Sequence, residues 1–144
     1  MRRLASVSVT AVLVFAAAAC GDDEDRLSEE EFQDQANEIC EDGSAEQEEI
    51  LEALEDVESP TVEDVEPIFD DLVENIRDQI DAVDALVPPE DIEDAVETFN
   101  EDAREVLAEV EDDGPEALFE ATAEDPFADV NEQAEDLGIQ ECAG

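Results

Sequence analysis

The stretch TVEDVEPIFDDLVENIRDQIDAVDALVPP, residues 61–89, decides the fold. Its apolar residues Val62, Val65, Phe69, Leu72, Val73, Ile76, Ile80, Val83 and Leu86 recur at steps of three and four. That spacing puts them on one face of a helix and leaves the acids on the other. Thr61 stands where an N-cap belongs, and Val87-Pro88-Pro89 stops the helix, since proline disfavours helical geometry in the residue before it. Pro67 lies too deep for the first turn if Thr61 is the cap, so a kink or a short turn ahead of the main helix is expected.

The neighbouring segments repeat the pattern. Before it, Ser28 and Glu31 form a capping box, followed by Phe32, Ala36, Ile39, Gly43, Ile50, Leu54 and Val57 at helical spacing. This first segment reads as one helix, with a weak point at Gly43-Ser44 and an end at Ser59-Pro60-Thr61. After it, a third helix starts near Glu90, with Ile92, Val96, Phe99, Ala103, Val106, Leu107 and Val110 as its stripe, and closes at Gly114-Pro115. The last segment carries Leu118, Phe119, Ala123, Val130, Ala134 and Leu137. Asp125-Pro126 inside it resembles an N-cap followed by a first-turn proline, so this helix is expected to be kinked or split. Gly138 is placed for the left-handed residue that ends a helix. Four helices on short connections predict an all-α, four-helix up-down bundle.

Ahead of the helices stands a different kind of segment. Met1-Arg2-Arg3 is basic, and Leu4 to Ala19 is uncharged and mostly apolar. At about 16 residues it falls short of the ~20 that span a bilayer, and it reads as a secretory signal. Ala17-Ala18-Ala19-Cys20 resembles a lipobox, with Ala17 departing from the usual leucine. Cys20 would then be lipidated and become the mature N-terminus. Ordinary cleavage after Ala19, giving a secreted protein, is the alternative. The expected organisation is a signal peptide over residues 1–19, a lipidated cysteine and acidic tether over 20–28, and a bundle domain over 29–144. The corresponding location is the outer face of the cell membrane, reached through the lipid on Cys20.

The chain has 48 Asp and Glu against 5 arginines, and no lysine, histidine, tryptophan or tyrosine. Losing residues 1–19 removes two arginines and no acid, leaving 125 residues with a formal charge of −45. Nucleic acid is excluded as a partner, because binding requires basic side chains to displace phosphate counterions. Without histidine there is no ordinary base near neutral pH, and without lysine no Schiff-base chemistry. Two cysteines remain in an export compartment that permits disulfides, Cys40 and Cys142. One intramolecular pairing is available to them, two free thiols being the alternative. Cys40 lies roughly 18 Å along helix one, and five extended residues after Leu137 reach about 17 Å, so the bond is compatible with the bundle.

The run Phe32-x-x-x-Ala36-Asn37-x-Ile39-Cys40 resembles the opening of a family of small secreted or lipid-anchored actinobacterial proteins. Pro67-Ile68, Ala85-Leu86-Val87-Pro88-Pro89 and Leu137-Gly138-Ile139-x-x-Cys142 resemble its later motifs, so the likeness covers about residues 30–142. It implies a helical domain with a Cys40–Cys142 bridge, and it brings no catalytic residues. Many relatives carry lysine and alanine where this chain carries acids.

Chemistry has few candidates. Glu109, Glu111, Asp113 and Glu120 occupy positions 1, 3, 5 and 12 of an EF-hand-like frame with Gly114 at position 6. Glu116 at position 8 breaks the pattern, and a Gly-Pro turn on an acidic surface explains the same residues. Cations are therefore expected to gather diffusely. A carboxylate-dependent hydrolase would need a cleft that raises one pKa, and the apolar residues are committed to helix seams. Phe32, Phe69, Phe99, Phe119 and Phe127 mostly fall on those seams as well. No cofactor and no catalytic residue is expected. Like charges at i,i+4 repel, and at about 1 M salt the Debye length falls to roughly 3 Å, which screens that repulsion. The expected protein is a salt-adapted, membrane-anchored, non-catalytic binding or interaction module. Its protein or small-molecule partner is not readable from the residues. A calcium- or cation-binding envelope protein is the first alternative, and a carboxylate-dependent hydrolase the second.

Overall fold

The computed structural model describes residues 26–117 and 125–143, and the described chain is entirely helical. The elements are α1 (Glu29–Leu51), α2 (Val62–Asp84), α3 (Glu93–Asp113) and α4 (Ala128–Leu137). Three single 3-10 turns follow α1, α3 and α4, at Glu52–Leu54, Gly114–Glu116 and Gln140–Cys142. The signal segment, Cys20 and most of the acidic tether lie outside the described residues. So do Leu118, Phe119, Glu120 and Ala123. Among the described residues no helix is long and apolar enough to cross a membrane.

The helix starts follow local hydrogen bonding. Ser28 caps α1, its backbone N–H and hydroxyl both donating to Glu31 Oε2 at 3.1 and 2.7 Å. Thr61 caps α2 in the same way, donating to Asp64 Oδ2 at 3.0 and 2.7 Å. α2 then runs unbroken through Pro67. The proline removes one donor on the outside of a helix whose inner face is anchored by Val65, Ile68, Phe69 and Leu72, all buried.

Three boundaries differ from the sequence pattern. α1 ends at Leu51 and gives way to the 3-10 turn, although the apolar spacing continues to Val57. A 3-10 turn keeps side chains inward at steps of three, so the stripe outlasts the α-helix. α3 begins at Glu93 and not near Glu90, because Pro88-Pro89 leads into a turn closed by Ile92 N–H donating to Pro89 O at 3.2 Å. α4 begins at Ala128, past the Asp125-Pro126 start that the residues suggested. Asp125 instead closes the turn ahead of α4, its Oδ1 accepting from Phe127 N–H at 2.9 Å, and Phe127 takes the N-cap position with no side-chain capping bond. Gly138 takes the left-handed conformation (φ 78°, ψ 16°) that ends α4.

Contacts link the helices in chain order, α1 to α2, α2 to α3 and α3 to α4. Leu27 N–H donates to Val87 O at 2.9 Å, joining the entry of α1 to the exit of α2. Between α2 and α3, residue 77 pairs with 111, 81 with 104, and 84 with 100. The 3-10 turn after α4 returns to α1, where Cys142 is bonded to Cys40 with Cα atoms 5.1 Å apart. One core runs through the helices, from Phe32, Ala36 and Cys40 to Ala134, Leu137 and Ile139. A smaller cluster of Val65, Ile68 and Leu72 packs with Ile50 and Leu54 at the far end of the α1–α2 pair.

Candidate functional site: a disulfide-walled cavity

The apolar stripes do not close completely. Between the helices they leave a cavity of about 250 Å³, with Cys40 and Cys142 in its wall. Its floor is apolar and buried, supplied by Ile80 and Val83 of α2, Phe99 and Ala103 of α3, and Val130 of α4. Half-buried Gln47, Gln79 and Asn131 stand above the floor, and exposed Ser44, Asp125 and Glu141 form the mouth. The site is thus an open apolar cavity whose lining includes three half-buried amides and two exposed carboxylates.

Each polar group there is held by its helix or its neighbours. Asn75, buried on α2, donates to Gly43 O at 3.1 Å and to Glu46 Oε2 at 3.4 Å. Gln79 Nε2 donates to Asn75 Oδ1 at 2.8 Å, which fixes the Gln79 amide against the well. Gly43 is the point of closest approach, since a Cβ there would overlap the Gln79 side chain. The weak point of α1 is therefore a packing contact with α2. Asn131 Nδ2 donates to Asp125 Oδ2 at 3.0 Å, so the Asp125 carboxylate is oriented from two sides.

The tail that carries Cys142 is held by amides as well. Asn37 donates to Gly138 O at 3.2 Å and accepts from Glu141 N–H at 3.0 Å. Gln33 Nε2 donates to Leu137 O at 2.9 Å. The Phe32, Ala36, Asn37, Cys40 run thereby has a physical reading. Phe32 and Ala36 fill the core, Asn37 reads the tail backbone, and Cys40 bonds it.

No family model, curated protein or solved structure matches the chain. Its chemistry is carried by the side chains themselves. Among the described residues no Asp or Glu is buried. Glu31 and Asp64 are held below the usual carboxyl range by the Ser28 and Thr61 donors that cap their helices. Both sit at helix starts, and neither lines the cavity. Arg77 is raised by its hydrogen bond to Glu111, at 2.6 Å, and Arg104 by its bonds to Asp81 and Asp84, at 3.0 Å each.

The EF-hand-like frame is divided. Glu109, Glu111 and Asp113 belong to helix α3, where Glu109 and Asp113 share a side and Glu111 turns to Arg77. Glu120 lies outside the described residues. Among the described residues no three acidic or cysteine side chains come together as a metal site would need.

Sequence reasoning missed the amides Gln79, Asn75, Asn131 and Asn100. A signal existed in two cases, for Asn75 and Asn100 fall on the apolar stripes of α2 and α3 where hydrophobic residues are expected. Asn100 is 1% exposed and donates to Asp84 Oδ1 at 3.2 Å, while its own Oδ1 has no partner among the described residues.

Proposed function

We propose that this protein is a lipid-anchored, extracytoplasmic binding module without catalytic activity, built as an up-down bundle and adapted to concentrated salt. The cavity carries the binding role. Its buried apolar floor and oriented amide rim are what small-molecule sites use to combine affinity with specificity. The matched pairs 77–111, 81–104 and 84–100 support alternating helix directions. The Cys40–Cys142 bond supports an oxidising compartment outside the cytoplasm. The lipobox-like Ala17-Ala18-Ala19-Cys20 supports the anchor, and the likeness to secreted or lipid-anchored actinobacterial proteins supports export. A surface on which 48 acids meet so few arginines supports the salt adaptation.

Three probes of one shape test the binding role: octylammonium, 1-octanol and octanoate, titrated calorimetrically. At least one should give a saturable one-to-one heat that Ala103→Leu, which fills the well, abolishes. No saturable heat with any of them sinks the role. For the anchor, palmitate label should enter the wild-type protein in the membrane fraction and be absent from Cys20→Ala, with the variant released. Label-free wild-type protein in the medium would establish the secreted form instead. Helicity and melting temperature should rise from dilute buffer to about 1 M NaCl, where the Debye length is roughly 3 Å. Unchanged values would remove the salt adaptation.

A further inference from the structure

Resting on the binding role proposed above, we infer that the cavity takes a small hydrophobic amine, its apolar body in the well and its protonated nitrogen at the mouth between Asp125 and Glu141. Size sets the first limit. An apolar cavity of about 150 Å³ accepts benzene, so about 250 Å³ holds a ligand of on the order of ten non-hydrogen atoms. The buried floor of Ile80, Val83, Phe99 and Val130 gives such a body its driving force, roughly 25 cal/mol per Å² removed from water.

Charge sets the second limit. The two ionisable groups among the cavity's described lining are both acidic, Asp125 and Glu141, and both are exposed at its mouth. Asp125 accepts from Phe127 N–H and Asn131 Nδ2, which orient its carboxylate and leave each oxygen a second lone pair. The Glu141 backbone is fixed by Asn37, and no described side chain donates to its carboxylate. None of Arg26, Arg77 and Arg104 lines the cavity. Half-buried Phe127 also lines the cavity, and an aromatic face attracts a cation and not an anion. An anionic ligand would meet two carboxylates and the field of the whole acidic surface. A neutral ligand would use the floor and waste the mouth. A hydrophobic amine uses both.

The test compares affinities of the same three probes for the full chain in NaCl of about 0.15 M and about 1 M. Octylammonium should bind about fivefold more tightly than 1-octanol at the lower salt, as a partly exposed ion pair allows, and octanoate should bind weakest. The isosteric pair Asp125→Asn with Glu141→Gln removes both mouth charges at constant shape and leaves one side-chain oxygen at position 125 to accept from Phe127 N–H. It should bring octylammonium to the affinity that 1-octanol has for the same variant. Equal affinities for all three probes overturn the amine and leave the binding role standing. A preference for octylammonium that survives in the paired variant belongs to the diffuse field and overturns the mouth. Absence of saturable binding by every probe overturns both readings together.

Discussion

At one end of the α1–α2 pair, Phe32 and Ala36 are 0% exposed and share a core with Ala134 and Ile139, also 0% exposed. That end also has the disulfide, the Asn37 and Gln33 clamps and the Leu27–Val87 backbone bond. At the other end, Ile50 and Leu54 pack on Val65, Ile68 and Leu72 in a separate small cluster, and Leu51 is left 39% exposed. The two ends carry a similar acid load on the outside but very different restraint on the inside. Self-repulsion should therefore open the molecule from the hairpin tip, and the end with the cavity wall should yield last.

The largest perturbation removes the covalent part of that contrast. Cys40→Ala with Cys142→Ala should cost about 4–5 kcal/mol by loop entropy, measured by urea unfolding at fixed salt. A loss near zero would mean that the clamps suffice without the bond. Next come matched core truncations. Phe32→Ala at the tied end should cost about 3–5 kcal/mol, and Leu72→Ala at the tip about 2 kcal/mol, where the smaller cluster can collapse. Equal costs would erase the distinction between the ends. Asn37→Ala should cost about 1–2 kcal/mol by stranding Gly138 O and Glu141 N–H, and amide exchange should rise in residues 138–142 and not at Ile50–Leu54.

The smallest effect is one of pH. Glu31 titrates below its ordinary value of 4.5 because the Ser28 hydroxyl and N–H donate to it. A group with a lowered folded pKa contributes stability that is full above the unfolded value and lost as pH falls through the folded one. The melting difference between wild type and Glu31→Gln should therefore be constant near neutrality and shrink below about pH 4.5. The Thr61–Asp64 cap at the tip has the same sign. A difference that grew on acidification would show that Glu31 does not act through its cap.

Much of this contrast is readable from the residues. The stripes of α1, α2 and α3 announce the helices because burial repeats at the helical period, and Ser28–Glu31 and Gly138 mark termini by their own local chemistry. With Cys20 assigned to the lipid, Cys40–Cys142 was the one intramolecular bond available, and two free thiols the alternative to it. The cavity was not legible. It is a shortfall of packing between stripes, and no single stripe contains it. The amide clamps were hidden for a similar reason, since Asn37 and Gln33 act on backbone groups about a hundred residues away. The end of α1 was misplaced because 3-10 and α spacing both keep Ile50 and Leu54 inward.

Two of the three described arginines serve the seam of α2 and α3, and the third, Arg26, ties the entry of α1 to the turn between them. Arg26 bonds Pro88 O and Glu93, Arg77 pairs with Glu111, and Arg104 with Asp81 and Asp84. The joint of α1 with the tail is made from neutral amides and a covalent bond. Ionic joints loosen as brine concentrates, whereas amide joints are indifferent to it. As the surroundings dilute, the acids push outward while the arginines grip harder. As they concentrate, that grip fades along with the push. The Cys40–Cys142 side of the cavity belongs to the indifferent joint and should hold its shape through swings of salinity, while the α2–α3 side shares the ionic seam and should follow them.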